Sequence, residues 1–183
     1  VDGSAMLMSI FHVFDQFGGA MWGARGTNLL DGGAHFYGVY ECADGEFVSL
    51  AAFEPQFYAN FVALVIPLGM PGLGAGDLLL DQQMDRTRWP VLRGRLAELF
   101  KTRRRDEWVA FFAGHEVCFA PVLTMAEARR HPHNVARRTF TTVDGVEQPA
   151  PAPRFSRTPG AIANPPRSAG ADTVPAFIDW GLS

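Results

Sequence analysis

The sequence predicts an α+β fold, in which a small mixed domain follows a connector helix and precedes an extended C-terminal arm. Two observations support this prediction. Strand-like and helix-like segments are intermixed through the middle of the chain, and prolines crowd its last quarter. We expect the connector helix in residues 1–27, the small domain in residues 28–138, and the arm with a terminal helix in residues 139–183.

The connector helix is indicated by helical spacing near the start of the chain. Asp2 and Ser4 are residue types that commonly cap helices. The apolar residues that follow at helical spacing are Met6, Ile10, Val13, Phe14 and Phe17. Gly18 and Gly19 are expected to end this helix.

A β-hairpin is predicted next. Phe36–Cys42 and Glu46–Phe53 are rich in aromatic and β-branched residues, and Ala43-Asp44-Gly45 between them is a turn signal. Pro55 stands where the first residue of a helix would, and apolar residues recur at helical spacing after it. The hairpin should therefore lead directly into a helix that begins after Glu54.

Helices dominate the rest of the small domain. One is expected from about Thr87, with the apolar stripe Trp89, Leu92, Leu96, Leu99 and Phe100. A shorter helix should follow around Asp106, then a strand at Cys118–Leu123. Thr124 and Glu127 form a capping box that opens one more helix.

The remaining polar patterns favour ordinary structural roles. Lys101–Arg105 is interpreted as a solvated junction between helices, with contact to a phosphate as the alternative. His131 and His133 flank a proline and are interpreted as turn residues, because a metal would need further ligands nearby. From Thr139 the chain should form strand-like pieces and a proline-rich segment, and Asp172–Leu182 predicts a terminal helix that docks on another surface.

Composition limits the classes of partner. Lys and Arg total 16 and Asp and Glu total 19, which gives a net charge of −3. A chain without basic excess is not expected to bind nucleic acid or an anionic membrane. Cys42 and Cys118 lack metal-ligand spacing and predict reduced thiols, and hence a cytoplasmic protein.

Two stretches carry a family resemblance: the segment from Gly26 to Tyr37, and Ala43-Asp44-Gly45 with the following Phe53-Glu54-Pro55-Gln56-Phe57-Tyr58. The matching pieces further along are Cys118–Leu123, His131–Asn134 and Ala152–Pro159. Together they resemble the α-methylacyl-CoA racemases of the class III CoA-transferase superfamily. The Glu54-Pro55-Gln56-Phe57 element is the most specific part, because it separates racemase-like members from the transferases better than the Asp31-Gly32-Gly33 stretch does.

The resemblance implies a division of labour between domains. In this family a Rossmann-like large domain carries the His and the Asp that transfer protons, and it would precede Val1. The segment alone is therefore expected to be inactive. The resemblance also implies an interlocked homodimer, an acyl-CoA thioester substrate, no cofactor or metal, and a C-terminal arm that returns to the large domain.

The same resemblance suggests the site residues. Glu54 would hydrogen-bond the catalytic His, whereas its position alone also allows a simple helix cap. The residues expected to line the acyl chain, or alternatively to be ordinary core, are Leu29, Leu30, Tyr37 and Phe53. Asp31-Gly32-Gly33 is interpreted as turn chemistry rather than an anion-binding nest.

The expected reaction is epimerisation of 2-methylacyl-CoA thioesters through an enolate. Removing and returning an α-proton on opposite faces requires two acid/base groups, of which one carboxylate can supply only one. A class III CoA-transferase is the alternative within the superfamily. A non-catalytic binding module is the alternative from a different class.

Overall fold

The computed structural model describes residues 2–9, 13, 16, 23–69, 73–74, 76–78, 80–162, 164–165 and 167–182. Within this part, helix α1 spans Asp2–Leu7. Ile10, Phe14, Phe17 and the two glycines predicted to end the connector helix lie outside the described residues. The chain forms two compact units, Val1–Val122 and Leu123–Ser183.

The first unit contains an antiparallel sheet of three strands in the order β1-β2-β3. Strands β1 (Tyr37–Glu41) and β2 (Phe47–Ala51) form the predicted hairpin, with Tyr37 opposite Ala51. Gly45 supplies the positive φ of 77° that the connecting turn needs. Strand β3 (Phe119–Val122) pairs with the other edge of β2. Both strand predictions are confirmed.

Three helices of the first unit cover one face of this sheet with apolar side chains: α2 (Pro55–Val65), α3 (Trp89–Phe100) and α4 (Arg105–Phe112). Short 3₁₀ turns occur at Ile66–Leu68 and Leu80–Gln82. Prolines occupy the first turns of α2 and α3, where a missing N–H costs no helical hydrogen bond. The helices predicted from sequence are therefore present.

An aromatic cluster forms one end of this core. Phe100, Trp108 and Phe112 are buried, and ring centroids lie 5.2 Å apart for Phe100 and Trp108 and 4.5 Å apart for Phe112 and Phe119. The Trp108 indole N–H donates to the Phe100 carbonyl at 2.8 Å. These contacts join helices α3 and α4 to strand β3.

The basic run between α3 and α4 departs from the prediction. Lys101 and Arg104 are exposed, as expected of a solvated junction. Arg105 is buried, however, and its guanidinium lies 3.2 Å from the Glu46 carboxylate and donates to the Val122 carbonyl at 3.1 Å. Arg103 packs over the Trp108 ring at 4.8 Å. The interpretation was wrong for Arg105, because Glu46 and Val122, which contact its guanidinium, are distant in sequence. Arg103 is half-buried against an aromatic ring of the next helix.

The second unit begins with the predicted capping box. The Glu127 amide donates to Thr124 Oγ1 at 3.2 Å, the Thr124 amide donates to the Glu127 carboxylate at 2.8 Å, and helix α5 spans Met125–Arg130. The predicted turn at His131–His133 is only partly correct. His131 separates two helices, but Pro132 begins a short helix, α6 (Pro132–Ala136), that includes His133.

The rest of the second unit is a hairpin, an irregular segment and a helix. Strands β4 (Phe140–Val143) and β5 (Val146–Pro149) pair across Asp144 and Gly145. No helix or strand occurs among the described residues between β5 and helix α7 (Thr173–Asp179). The α7 region buries none of its side chains, and Ile178 and Trp180 are 72% and 81% exposed. Across the described part of the chain, every helix is too short or too polar to span a bilayer.

Candidate functional site

Glu54 lies at the junction of the sheet and helix α2. Its backbone is extended, with φ −68° and ψ 140°, and its carbonyl accepts the first helical hydrogen bond from the Tyr58 amide at 3.0 Å. Glu54 therefore occupies the N-cap position predicted from sequence. Its side chain makes no capping hydrogen bond within the described residues and is exposed. The carboxylate is thus available to a group from outside the first unit.

The backbone that carries Glu54 is fixed by buried polar contacts. The Ala52 amide donates to the Phe36 carbonyl at 3.0 Å. The side-chain amide of Gln83 donates to the carbonyls of Ala52 and Phe53 at 3.1 and 2.9 Å. The Trp89 indole N–H donates to the Gln83 carbonyl at 2.9 Å. A free carboxylate on a rigid support is the arrangement expected of a group that orients a partner.

Cys118 lies near Glu54 at the start of β3. Its carbonyl accepts the Ala51 amide at 2.9 Å, and it adopts a positive φ of 49°. Desolvation, followed by the negative charges of Glu54 and Glu116, raises the pKa of its thiol. The thiol is therefore protonated at neutral pH, and a thiolate nucleophile is not favoured at this position.

A buried histidine lies beneath the first turn of α2. His35 Nε2 is 2.8 Å from the Tyr58 hydroxyl, whereas Nδ1 is buried with no hydrogen-bond partner among the described residues. Burial, followed by the positive charge of Arg88, lowers the pKa of His35 to about 4. Burial also raises the pKa of Tyr58. His35 is therefore neutral at physiological pH and belongs to the core rather than to proton transfer.

The four apolar candidates lie on two segments. Tyr37 begins β1 and Phe53 follows β2, and the strand register brings them to the same end of the sheet, beside Glu54. Leu29 and Leu30 precede β1 in a loop. Tyr37 and Leu29 are half-buried and pack against the core, whereas Phe53 and Leu30 are exposed. Phe53 and Leu30 thus present apolar surface to the exterior of the first unit.

The loop that carries Leu29 and Leu30 is held by its own polar side chains. The Asp31 carboxylate accepts the amides of Gly26 and Asn28 at 2.8 and 2.7 Å. A Cβ on Gly33 would overlap the Thr27 carbonyl, so only glycine fits there. Desolvation raises the pKa of Asp31, but the hydrogen bonds from Asn28 and the backbone outweigh it, so the pKa is lowered. The Asp31 carboxylate thus occupies the backbone amides that could otherwise bind an anion, as in a turn closed by an aspartate side chain.

A depression of about 310 Å³ adjoins this loop and helix α3. Arg86 and Arg93 line it, but Arg86 donates to the Thr27 carbonyl at 3.0 Å and Arg93 packs over the Tyr40 ring at 5.2 Å. Arg93 thus holds the hairpin to α3, and Arg86 holds the loop to the segment just before α3. No group of three or more metal-ligating side chains occurs among the described residues.

The sequence prediction for Glu54 came from the family resemblance of Glu54-Pro55-Gln56-Phe57, and its place at the start of a helix is as expected. The buried polar contacts of Gln83 and His35 were not predicted. His35 had a signal, since a histidine between Ala34 and Phe36 in a strand-like segment is expected to be buried. Gln83 had none, because its partners are 30 and 31 residues away in the chain.

Comparison with protein families and curated proteins gives consistent matches. A model of CoA-transferase family III matches residues 2–173. The chain is 40% identical over 188 aligned positions to the alpha-methylacyl-CoA racemase of Mus musculus, covering all of this chain and 46% of that protein. It is 38% identical to the racemase of Homo sapiens, covering 87% of this chain and 40% of that one. The chain thus spans less than half the length of these relatives.

Solved structures give the same fold. A hypothetical protein from Mycobacterium tuberculosis, Rv3272, is similar with a TM-score of 0.66 at 15% sequence identity, covering 94% of this chain and 44% of that one. An orthorhombic crystal form of Rv3272 gives a TM-score of 0.59 over 75% of this chain and 37% of that one, at 17% identity. At this level of identity the likeness concerns the fold alone.

Proposed function

The chain belongs to CoA-transferase family III, and on that premise we propose that the protein containing it is an α-methylacyl-CoA racemase. The reaction is the epimerisation of a 2-methylacyl-CoA thioester at its α-carbon. The observation that carries this proposal is the Glu54 carboxylate, which has no capping bond among the described residues although its backbone is fixed.

The chemistry requires more than this segment supplies. The thioester carbonyl acidifies the α-proton, one base removes it, and an acid on the opposite face returns a proton to the enolate. The family resemblance assigns these steps to a His and an Asp of the large domain. The thioester itself delocalises the charge of the enolate, so this proposal invokes no cofactor.

Glu54 acts in this scheme through the histidine. Its carboxylate accepts a hydrogen bond from one ring nitrogen, which fixes the tautomer and favours the imidazolium that forms when the α-proton is taken. The exposed carboxylate at the end of β2 supports this role, because an internal capping bond would compete with the histidine. Glu54 has no proton-transfer step of its own.

The apolar residues beside Glu54 suit the acyl chain. A branched acyl chain has no hydrogen-bonding groups, so it is bound by contact with apolar surface alone. Tyr37 and Phe53 share the sheet end that carries Glu54, and Leu29 and Leu30 extend the apolar candidates onto the preceding loop. We assign the four side chains to the wall of the acyl pocket.

The proposed partners follow from the same family. Each small domain of an interlocked homodimer would complete the active site of the partner subunit, and the C-terminal arm would return to the large domain. The exposed Ile178 and Trp180 in the α7 region support a docking role for the end of the arm.

A class III CoA-transferase is the second candidate. It is favoured by the family model and by a CaiB/baiF CoA-transferase family protein of Caenorhabditis elegans, which is 29% identical over 69% of this chain and 33% of that protein. A transferase would use a catalytic Asp to form acyl-enzyme and aspartyl-CoA intermediates. That mechanism exchanges CoA between acids and does not invert the α-carbon.

One experiment separates the two candidates. A whole enzyme containing this sequence is incubated in deuterated water with one epimer of a 2-methylacyl-CoA, and α-deuterium and the opposite epimer are measured. A racemase produces both without an added acceptor acid. CoA transfer to an added carboxylic acid, without α-deuterium, would establish the transferase instead. Residues 1–183 alone should produce neither.

A further inference from the structure

We propose that Gln83 is a positioning residue that fixes the Glu54 carboxylate for the reaction, an inference that rests on the proposed function. Gln83 is 5% exposed, and polar groups at such positions must find hydrogen-bond partners inside the protein. It lies just after the 3₁₀ turn Leu80–Gln82, and its side chain reaches the strand end that leads to Glu54.

Both protons of the Gln83 side-chain amide are used at that strand end. They bond the carbonyls of Ala52 and Phe53 at 3.1 and 2.9 Å. Carbonyl oxygens only accept hydrogen bonds, so the NH₂ group must face them and the orientation of the amide is fixed by chemistry. The Phe53 carbonyl belongs to the peptide bond that joins Phe53 to Glu54. Gln83 therefore holds the peptide plane from which Glu54 projects.

Gln83 is itself held by helix α3. The buried indole of Trp89 donates to the Gln83 carbonyl at 2.9 Å, and the same ring packs edge-on against Phe36 with centroids 5.9 Å apart. The Phe36 carbonyl in turn accepts the Ala52 amide at 3.0 Å. The contacts form a closed circuit from α3 through Gln83 to the strand end and back through Phe36.

This circuit matters because Glu54 has no support of its own. Its side chain makes no capping hydrogen bond within the described residues, so in this unit the backbone alone fixes the point from which the carboxylate extends toward the histidine. A misplacement of about 1 Å at a catalytic group can reduce the rate about 100-fold. Gln83 thus positions the backbone of Glu54, from which its carboxylate reaches the histidine.

The test uses a whole enzyme that contains this sequence and the variant Gln83→Met, which keeps the length of the side chain and removes both donors. We expect kcat for epimerisation to fall about 10- to 100-fold with KM nearly unchanged. The losses of kcat caused by Glu54→Gln and Gln83→Met should not be additive, because Gln83 acts through Glu54. The double variant should therefore be no slower than Glu54→Gln alone.

Trp108→Phe is the matched control. It removes another buried N–H to carbonyl bond, to Phe100 at 2.8 Å, in the aromatic cluster away from Glu54. It should lower stability and leave kcat unchanged at a temperature where the enzyme is folded. Additive losses in the double variant, or an equal fall of kcat in Trp108→Phe, would overturn the positioning role. If Gln83→Met does not fold, Gln83→Asn, whose shorter amide cannot reach both carbonyls, takes its place.

A second readout does not depend on the reaction. Amide hydrogen exchange of the peptide covering Phe53–Tyr58 should accelerate at least 10-fold in Gln83→Met and remain unchanged in Trp108→Phe. Unchanged exchange in Gln83→Met would refute the positioning role even if the enzyme proves to be a transferase. Conversely, accelerated exchange in an enzyme that forms no α-deuterium would refute only the racemase assignment.

Discussion

Glu54 has an exposed carboxylate, and its backbone is hydrogen-bonded on both sides. The Tyr58 amide donates to the Glu54 carbonyl, and the Gln83 side-chain amide donates to the preceding carbonyl, that of Phe53. A glutamate used only as a helix cap would accept an amide of the first turn, and here it does not. The Glu54 side chain therefore makes no helix cap among the described residues. Its role toward the catalytic histidine of the proposed mechanism stays a prediction.

Glu54→Gln in the whole enzyme keeps the shape of the side chain and removes the charge. Without that charge the imidazolium is less stable, so the pKa of the partner histidine should fall and kcat should drop roughly 10- to 1000-fold in both directions. The measurement is kcat and KM for both epimers together with a melting curve. Glu116→Gln is the control, because Glu116 is also exposed and also acts on Cys118. An unchanged kcat in Glu54→Gln would leave this residue a structural position.

The buried His35 should make the protein sensitive to acid. Its pKa is about 4 in the folded state and 6.5 in its ordinary environment, so the unfolded chain binds a proton first as the pH falls. The stabilisation is complete above pH 6.5 and is lost as the pH falls toward 4, on the order of 3 kcal/mol in total.

The measurement is the free energy of unfolding between pH 4 and 7 for His35→Gln and for His133→Gln, whose histidine is exposed. Glutamine cannot titrate, so the slope of stability against pH should flatten in His35→Gln and remain in His133→Gln. An identical slope in both variants would mean that other groups cause the loss.

At the scale of elements, the sequence predicted those helices, strands and turns that depend on interactions between residues close together in the chain. The hairpin, the helix after Glu54 and the capping box at Thr124 depend on residues within a few positions of one another, and each is present. Arg105 was misjudged because Glu46 lies 59 residues earlier in the chain. Gln83 was not found for the same reason. Contacts between elements could be identified only from the three-dimensional structure, because a run of arginines has the same sequence whether its side chains are solvated or buried.

Arg105 should therefore contribute to the joining of α4 to the sheet. Its side chain is 10% exposed, against 72% for Arg104, and it bonds Glu46 and the Val122 carbonyl. Arg105→Met should lower the free energy of unfolding by about 1–3 kcal/mol, because the Val122 carbonyl and the Glu46 carboxylate lose their charged, largely buried donor. Arg104→Met should cost less than about 0.5 kcal/mol. Urea titrations of both variants check this, and equal costs would contradict the joining role.

At the scale of the whole molecule, the described surface carries apolar groups that a folded monomer usually covers. Phe177, Ile178 and Trp180 are exposed at the end of the arm, and Phe53 and Leu30 are exposed on the first unit. Under the proposed function, the first group belongs to a docking helix and the second to the acyl pocket, and both assignments stay predictions. The chain spans less than half the length of the racemases that it matches.

Residues 1–183 produced as a separate polypeptide should consequently self-associate and bind the dye ANS, because water leaves these apolar surfaces when copies meet or dye binds. The matched variant is Ile178→Lys with Trp180→Lys. Both side chains are exposed, so their replacement should reduce association without lowering the free energy of unfolding by more than about 0.5 kcal/mol. Sedimentation and dye fluorescence measure the effect. A monomeric polypeptide without dye binding would show that these surfaces need no partner, and the docking role of the arm would then be wrong.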